Sequence, residues 1–174
     1  MILGLDISTS ITGYTILDDT GNVIECSYID LKKEHGLFEK AAKIDKVLLG
    51  LYKKYSFDKI WIEESLQKFA MGKSSASTIA ALSKFNGIVS WISWQLCPVV
   101  QFIPAISARK QIGLKMIKGI KGKDIVMLHM MNNEPWFKVE YKKTGKIKDH
   151  CFDMADSFVI AKAGFMKTVA NTGP

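Results

Sequence analysis

The chain has 174 residues, 48% of them hydrophobic, enough for one domain with its own core over 1–174 and too few for a second full domain. Its 24 Lys and Arg against 17 Asp and Glu give a formal net charge of +7, which points to an anionic partner, nucleic acid ahead of an acidic membrane surface. Cys26, Cys97 and Cys151 lie far apart with no C-x-x-C pair, so neither a zinc site nor a disulfide framework is expected.

The first thirty residues read as a three-strand meander, Ile2 to Ile7, Gly13 to Leu17 and Val23 to Leu31, with Asp18-Asp19-Thr20-Gly21-Asn22 supplying turn chemistry between the last two. A helix follows from Leu37 to Tyr55, because Leu37, Ala41, Ile44, Leu48, Leu51 and Tyr55 recur at three- and four-residue intervals. Lys59 to Glu64 is a strand. A Gly/Ser stretch from Gly72 to Ser77 leads into a helix running towards Cys97, and Val99 to Ile103 is a fifth strand. Ser107 to Leu114 reads as a short helix capped by Ser107, and Lys123 to Asn132 as another. The basic loop Lys115 to Gly122 lies between them. Tyr141 to Lys148 is expected to be a mobile basic segment, and a last helix spans Asp149 to Phe165. The order βββαβαβ(α)α describes a mixed sheet with helices on both faces. No signal peptide is recognisable, and the longest helical pattern, Ser74 to Cys97, is broken by Ser, Lys, Asn and Gly. A soluble cytoplasmic protein with no membrane association is therefore expected.

Four acids stand at the ends of these elements. Asp6 ends the apolar run Met1-Ile2-Leu3-Gly4-Leu5, and Glu63 ends Lys59-Ile60-Trp61-Ile62, so both emerge where a buried strand meets the surface. Asp153 and Asp156, three apart in a helical pattern, share one helix face. Four gathered carboxylates repel one another unless a divalent cation binds them, and hard oxygen ligands select magnesium or manganese over zinc. Glu64 competes with Glu63, but alternation along the strand points the two in opposite directions. Asp149 and His150 read as a cap at the positive end of the last helix, with His150 one turn before Asp153. His35 and His129 carry no signal.

The string Ile2-Leu3-Gly4-Leu5-Asp6-Ile7-Ser8-Thr9-Ser10-Ile11-Thr12-Gly13-Tyr14 resembles the opening of the RuvC family of Holliday-junction resolvases, a strand ending in aspartate followed closely by Thr-Gly-Tyr. The resemblance continues at Trp61-Ile62-Glu63-Glu64 and through Ser75-Ala76-Ser77 to Asn86-Gly87. It closes at Asp153-Met154-Ala155-Asp156-Ser157, which is similar to the family's D-x-A-D-[AS] helix. Four motifs in order span nearly the whole chain. The resemblance implies an RNase H-like α/β fold, a mixed five-stranded sheet with helices on both faces. Asp6, Glu63, Asp153 and Asp156 would hold two Mg²⁺, with Mn²⁺ as substitute, at a phosphodiester. Asp6 would be shared by both ions, Glu63 and Asp153 would complete the cage, and Asp156 would bind one ion and orient a water. Lys110 and Lys123 resemble the basic residues that the family places near the scissile phosphate. The register of the family favours Glu63 over Glu64.

The implied function is paired nicking of four-way junctions and other branched DNA, three-way and fork-like forms included. A homodimer is expected, with the Trp91/Trp94 helix at its interface, since one domain offers one active site and two symmetric nicks are needed. Lys118 and Lys121 in one glycine-containing loop, and Lys143 and Lys146 in another, are expected to contact phosphates. Small size and compact motif spacing suit a phage-encoded enzyme acting in the host-cell cytoplasm. Two departures stand out: Ser8 replaces the glycine that most members carry, and Leu66 replaces the base-stacking aromatic of bacterial members, so that either Phe69 substitutes or the role is absent. Rival readings are an RNase H-like nuclease acting on structured RNA and a non-catalytic junction-binding protein. The first phosphate loop of sugar kinases and actin-like ATPases is also similar to Asp6–Gly13, but those proteins need two such domains.

Overall fold

In the computed structural model, residues 1–64 and 76–171 are described. Three strands, β1 (Ile2–Asp6), β2 (Ile11–Leu17) and β3 (Val23–Asp30), form the antiparallel meander. Helix α1 (Leu37–Tyr55) leads to β4 (Lys59–Glu63), and α2 (Ala76–Leu96) leads to β5 (Val100–Ile103). Three further helices follow: α3 (Ala105–Gln111), α4 (Gly122–Asn133) and α5 (Asp149–Asn171). The five strands pair in the order β3-β2-β1-β4-β5, with β4 parallel to β1 and β5 parallel to β4. This is the mixed sheet expected from the sequence.

Strand alternation divides the core into two layers. Leu3, Leu5, Ile60 and Ile62 point to one face, where they meet Ile44 and Leu48 of α1 and Phe85 and Val89 of α2. Ile2 and Trp61 have the opposite parity and meet Ala108 of α3, Val126 and Met130 of α4, and Phe158 and Val159 of α5. Both faces are covered, which is why β1 reads as an unbroken apolar run and not an alternating one. In α1 the buried residues Ala41, Ile44, Leu48 and Leu51 form a single stripe, and the helix ends at Ser56, whose left-handed φ of 49° turns the chain towards β4.

Several expectations need correction. Strand β2 starts at Ile11 and not Gly13, because Ile11 and Thr12 are buried and pair with Asp30 and Ile29 of β3. Helix α3 starts at Ala105 after Pro104, whose φ of −62° sets the entry, so Ser107 lies inside the helix and caps nothing. Residues 141–148 form an ordered hairpin in place of a mobile segment. Tyr141 bridges to Ile147, Lys148 N–H donates to the Glu140 carbonyl at 2.9 Å, and Gly145 takes φ 76° at the tip. Helix α5 continues six residues past Phe165, carrying Lys167 over the Trp61 ring. Among the described residues no helix is long and apolar enough to cross a membrane. Leu66, Phe69 and Ser75 lie outside the described residues.

Candidate active site

The pairing of β1 with its neighbours sets the site. Leu5 stands beside Ile62 of the parallel strand β4, so Asp6 and Glu63 project side by side from the last residues of adjacent strands. They share parity with Ile2 and Trp61, which sends both carboxylates to the α5 face. Glu64, one residue on, is exposed beyond the strand end, its N–H donating to the Ile103 carbonyl at 3.0 Å. The end of β4 is further held by buried Asn86 of α2, whose amide donates to the Glu63 carbonyl at 3.4 Å.

Helix α5 carries the other two acids, and glycines bring it within reach. A side chain at Gly13 would place its Cβ 2.0 Å from the Asp153 carbonyl oxygen, and one at Gly4 would sit 2.6 Å from Ala161 Cβ. Gly13 pairs directly with Asp6 across β1 and β2. The helix backbone therefore rests on bare strand at the pairing step that carries Asp6, which is what lowers Asp153 and Asp156 towards the strand-end carboxylates. A buried polar cluster fixes the helix along its length: Thr15 and Ser157 hydroxyls share a 2.9 Å hydrogen bond, and Ser157 also donates to the Met154 carbonyl at 2.7 Å. At the helix start His150 stacks on Tyr28 of β3, rings 4.1 Å apart, and its Nε2 lies 3.4 Å from Glu140 of the hairpin. His150 thus holds helix to hairpin, and its contacts lie there and not with the four acids.

The four carboxylates feel one another. Burial first, then the charges of Glu63, Asp156 and Asp153, push the Asp6 carboxyl well above the usual carboxylate range, against a smaller opposing effect of Lys123. Glu63 is pushed up to about 7 by burial and by Asp156, with Arg109 and Lys123 opposing. Asp153 is raised too, mainly by burial, which the neighbouring Lys123 partly offsets. Two cations serve this cluster. Lys123, at the start of α4, places its ammonium 3.7 Å from Asp153 and 3.5 Å from Asp156. Burial alone would lower its pKa, but the four acids together raise it. Arg109 of α3 donates from Nη2 to Asp156 Oδ1 at 3.1 Å, and the Asp156 side chain is only 4% exposed. The Arg109 Nε is buried with no hydrogen-bond partner among the described residues.

Of the basic residues singled out from the sequence, Lys123 alone reaches the acids. Lys110 points to solvent from α3, Lys118 and Lys121 are exposed in the loop before α4, and Lys143 and Lys146 are exposed at the tip of the hairpin that leads into α5. Arg109, which sequence reasoning passed over, takes the place beside the acids that Lys110 was expected to fill. The signal was present: Ala105 and Ala108 of α3 and Ile112 at its cap form an inward stripe, and residue 109, four after 105, lies on that stripe whereas residue 110 lies off it.

Oxygen-only donors carrying mutual repulsion match a hard divalent cation in chemistry and in charge. As the side chains stand, no three His, Cys, Asp or Glu groups among the described residues are gathered closely enough to hold an ion, and Lys123 and Arg109 supply the countercharge.

No protein-family model matches the chain, and no curated protein sequence matches it. Solved structures do. Thermus thermophilus RuvC in complex with a Holliday junction substrate matches with a TM-score of 0.69 at 12% identity, covering 98% of this chain and 96% of that one. A second T. thermophilus RuvC structure gives 0.64 at 15% identity with the same coverage of 98% and 96%. The yeast mitochondrial Holliday junction resolvase gives 0.52 at 16%, over 98% of this chain and 81% of that one. The class these matches define is one of fold: a mixed five-stranded α/β sheet covered by helices on both faces. Within that class the fold is that of the RuvC-type resolvases, shared over nearly the whole length of the chain.

Proposed function

We propose that this chain is a divalent-cation-dependent endonuclease of the RuvC type that resolves Holliday junctions and other branched DNA by paired nicking in the cytoplasm. The observation that carries this reading is the convergence of Asp6, Glu63, Asp153 and Asp156 on the α5 face, where burial and neighbouring acids raise the Asp6, Glu63 and Asp153 carboxyls, within a fold shared over nearly its whole length with a resolvase bound to junction DNA. Asp6, Glu63, Asp153 and Asp156 would hold the cations, two Mg²⁺ per site with Mn²⁺ as substitute. Bound there, such ions ease deprotonation of the attacking water and neutralise the leaving oxygen.

The chain's own residues supply the remainder. Lys123 and Arg109 put two positive charges beside the carboxylates, where they attract and orient the scissile phosphate in a low-dielectric setting. Lys110, Lys118, Lys121, Lys143 and Lys146 are exposed cations that would contact flanking phosphates, positioning DNA without reading its bases. Selection then rests on branched shape, so three-way and fork-like substrates are cut as well. Two symmetric nicks call for two sites, and the groove between α1 and α2 lined by Phe38, Ile88 and Trp91 offers an exposed apolar surface for a second copy, with Trp94 also exposed on α2.

The test is incubation with a labelled four-way junction, a matched linear duplex and a structured RNA, each with and without Mg²⁺. Cation-dependent cutting of the junction alone among the three supports the reading. Cutting confined to the RNA, or junction binding with no cutting under any divalent cation, would replace it with one of the two rival readings.

A further inference from the structure

The loop between α3 and α4 combines features that the nuclease reading does not use. Its start is anchored: Leu114 N–H donates to the Arg109 carbonyl at 2.9 Å and Gly113 N–H to the Lys110 carbonyl at 3.0 Å, while Ile112 and Leu114 pack into the α5-side core. Its end is anchored as well, since Asp124 and Ile125 N–H groups donate to the Lys121 carbonyl. Between the anchors the chain turns at Gly119, φ 87°, closed by Ile120 N–H on the Ile117 carbonyl at 3.1 Å. Leu114 is partly buried against the core, whereas Met116 is 50%, Ile117 54% and Ile120 40% exposed. Lys115, Lys118 and Lys121 alternate with them, and among the described residues none of the three joins an ion pair.

Both anchors belong to the catalytic cluster. Arg109, before the loop, reaches Asp156, and Lys123, just after it, lies against Asp153 and Asp156. The Arg109 guanidinium fills the space that a side chain at Gly122 would take, 2.4 Å from its Cβ, and Met116 Cε borders the same space at 3.4 Å. Met116, at the start of the apolar tip, is therefore held next to the Arg109 guanidinium, which itself reaches Asp156. Lysines every third residue select a polyanion, and apolar side chains between them need an apolar surface on that same polyanion. In a stacked duplex the base faces are covered. At a branch point, base pairs have lost a stacking neighbour and present a bare face bordered by phosphates.

We propose that Met116, Ile117 and Ile120 form a wedge that packs on the open base faces at the branch point, while Lys115, Lys118 and Lys121 hold the phosphates on either side. The proposal rests on the branched-DNA reading and deepens it, naming the element that recognises the branch. Unstacking at the tip splays the strands next to the anchors and delivers a backbone phosphate to Lys123, Arg109 and the acids.

The experiment uses full-length protein in chelator with a four-way junction carrying 2-aminopurine at the branch point, and the same label placed inside one arm. Binding of the native chain raises branch-point fluorescence and leaves the arm label unchanged. Replacing Met116, Ile117 and Ile120 together by Ser, or Ile117→Ser alone as a milder variant, removes most of the rise at saturation while affinity stays within about threefold, because phosphate contacts dominate binding. Lys115, Lys118 and Lys121 together changed to Ala weaken binding about tenfold and keep the rise at saturation. Junction binding with no fluorescence change, or an undiminished rise in the serine variants, overturns the wedge and leaves the nuclease reading standing. Failure of the native chain to prefer junction over duplex overturns both. Retention on anionic vesicles in place of DNA would assign the loop to a membrane surface and overturn the wedge.

Discussion

Glu63 holds its proton up to a pH of about 7 in the folded chain against an ordinary value of 4.5, and Asp6 and Asp153 are displaced in the same direction. A folded-state pKa raised above the unfolded one stabilises the fold fully below the unfolded value and loses that contribution as pH climbs through the folded value. In chelator, stability should therefore fall between about pH 5 and pH 8, with Glu63 contributing on the order of 3 kcal/mol of the change. Urea melts across that range check it, and Glu63→Gln should flatten the curve and make the cation-free protein more stable at pH 8. A native chain whose stability is level or rises over this window would refute the crowded-carboxylate description. Arg109 works in the opposite sense. It is the closer cation to the buried Asp156, so Arg109→Ala leaves a charge with only the more distant Lys123, and a loss of about 3 kcal/mol is expected at pH 8. An Arg109→Ala protein that melts within about 1 kcal/mol of native would show the pair to be incidental.

The elements were largely legible because their periodicities are strong. The stripe Ala41, Ile44, Leu48, Leu51 announced α1, and the apolar runs ending in Asp6 and Glu63 announced β1 and β4. What local pattern could not supply was tertiary approach. Gly13 looked like a strand boundary, yet it lies within β2, and its lack of a side chain serves the helix lying on it. The hairpin over 141–148 looked like a mobile stretch because it is rich in lysine, whereas backbone hydrogen bonds close it, Lys142 N–H to the Lys146 carbonyl at 2.7 Å and Lys148 N–H to the Glu140 carbonyl at 2.9 Å, which no periodicity encodes. Arg109 was hidden by its basic neighbour Lys110. Gly13→Ala tests the approach argument. A methyl group 2.0 Å from the Asp153 carbonyl must lift α5, costing about 1–3 kcal/mol by overpacking and displacing two carboxylates at once. Cleavage should drop far more than junction affinity, whereas equal loss of both, or of neither, would separate Gly13 from the site.

For the molecule as a whole, the net charge of +7 and the exposure of Lys110, Lys118, Lys121, Lys143 and Lys146 favour an anionic partner. The exposed apolar groove at Phe38 and Trp91 lies on the α1/α2 side of the sheet, on the opposite face from α5, so the proposed dimer contact can be tested apart from the proposed chemistry. Trp91→Glu should convert a dimer to a monomer in light scattering and uncouple the two nicks while leaving single nicks, and a native chain that is monomeric both free and on a junction would remove the groove from the account. One comparison bears on the whole reading: cleavage and binding of the same four-way junction by the native chain and by Asp156→Asn, in Mg²⁺. The account predicts that the native chain cuts and that the variant binds at least as tightly, having lost a negative charge beside the phosphate, but does not cut. Cutting by Asp156→Asn at a rate near native would contradict it.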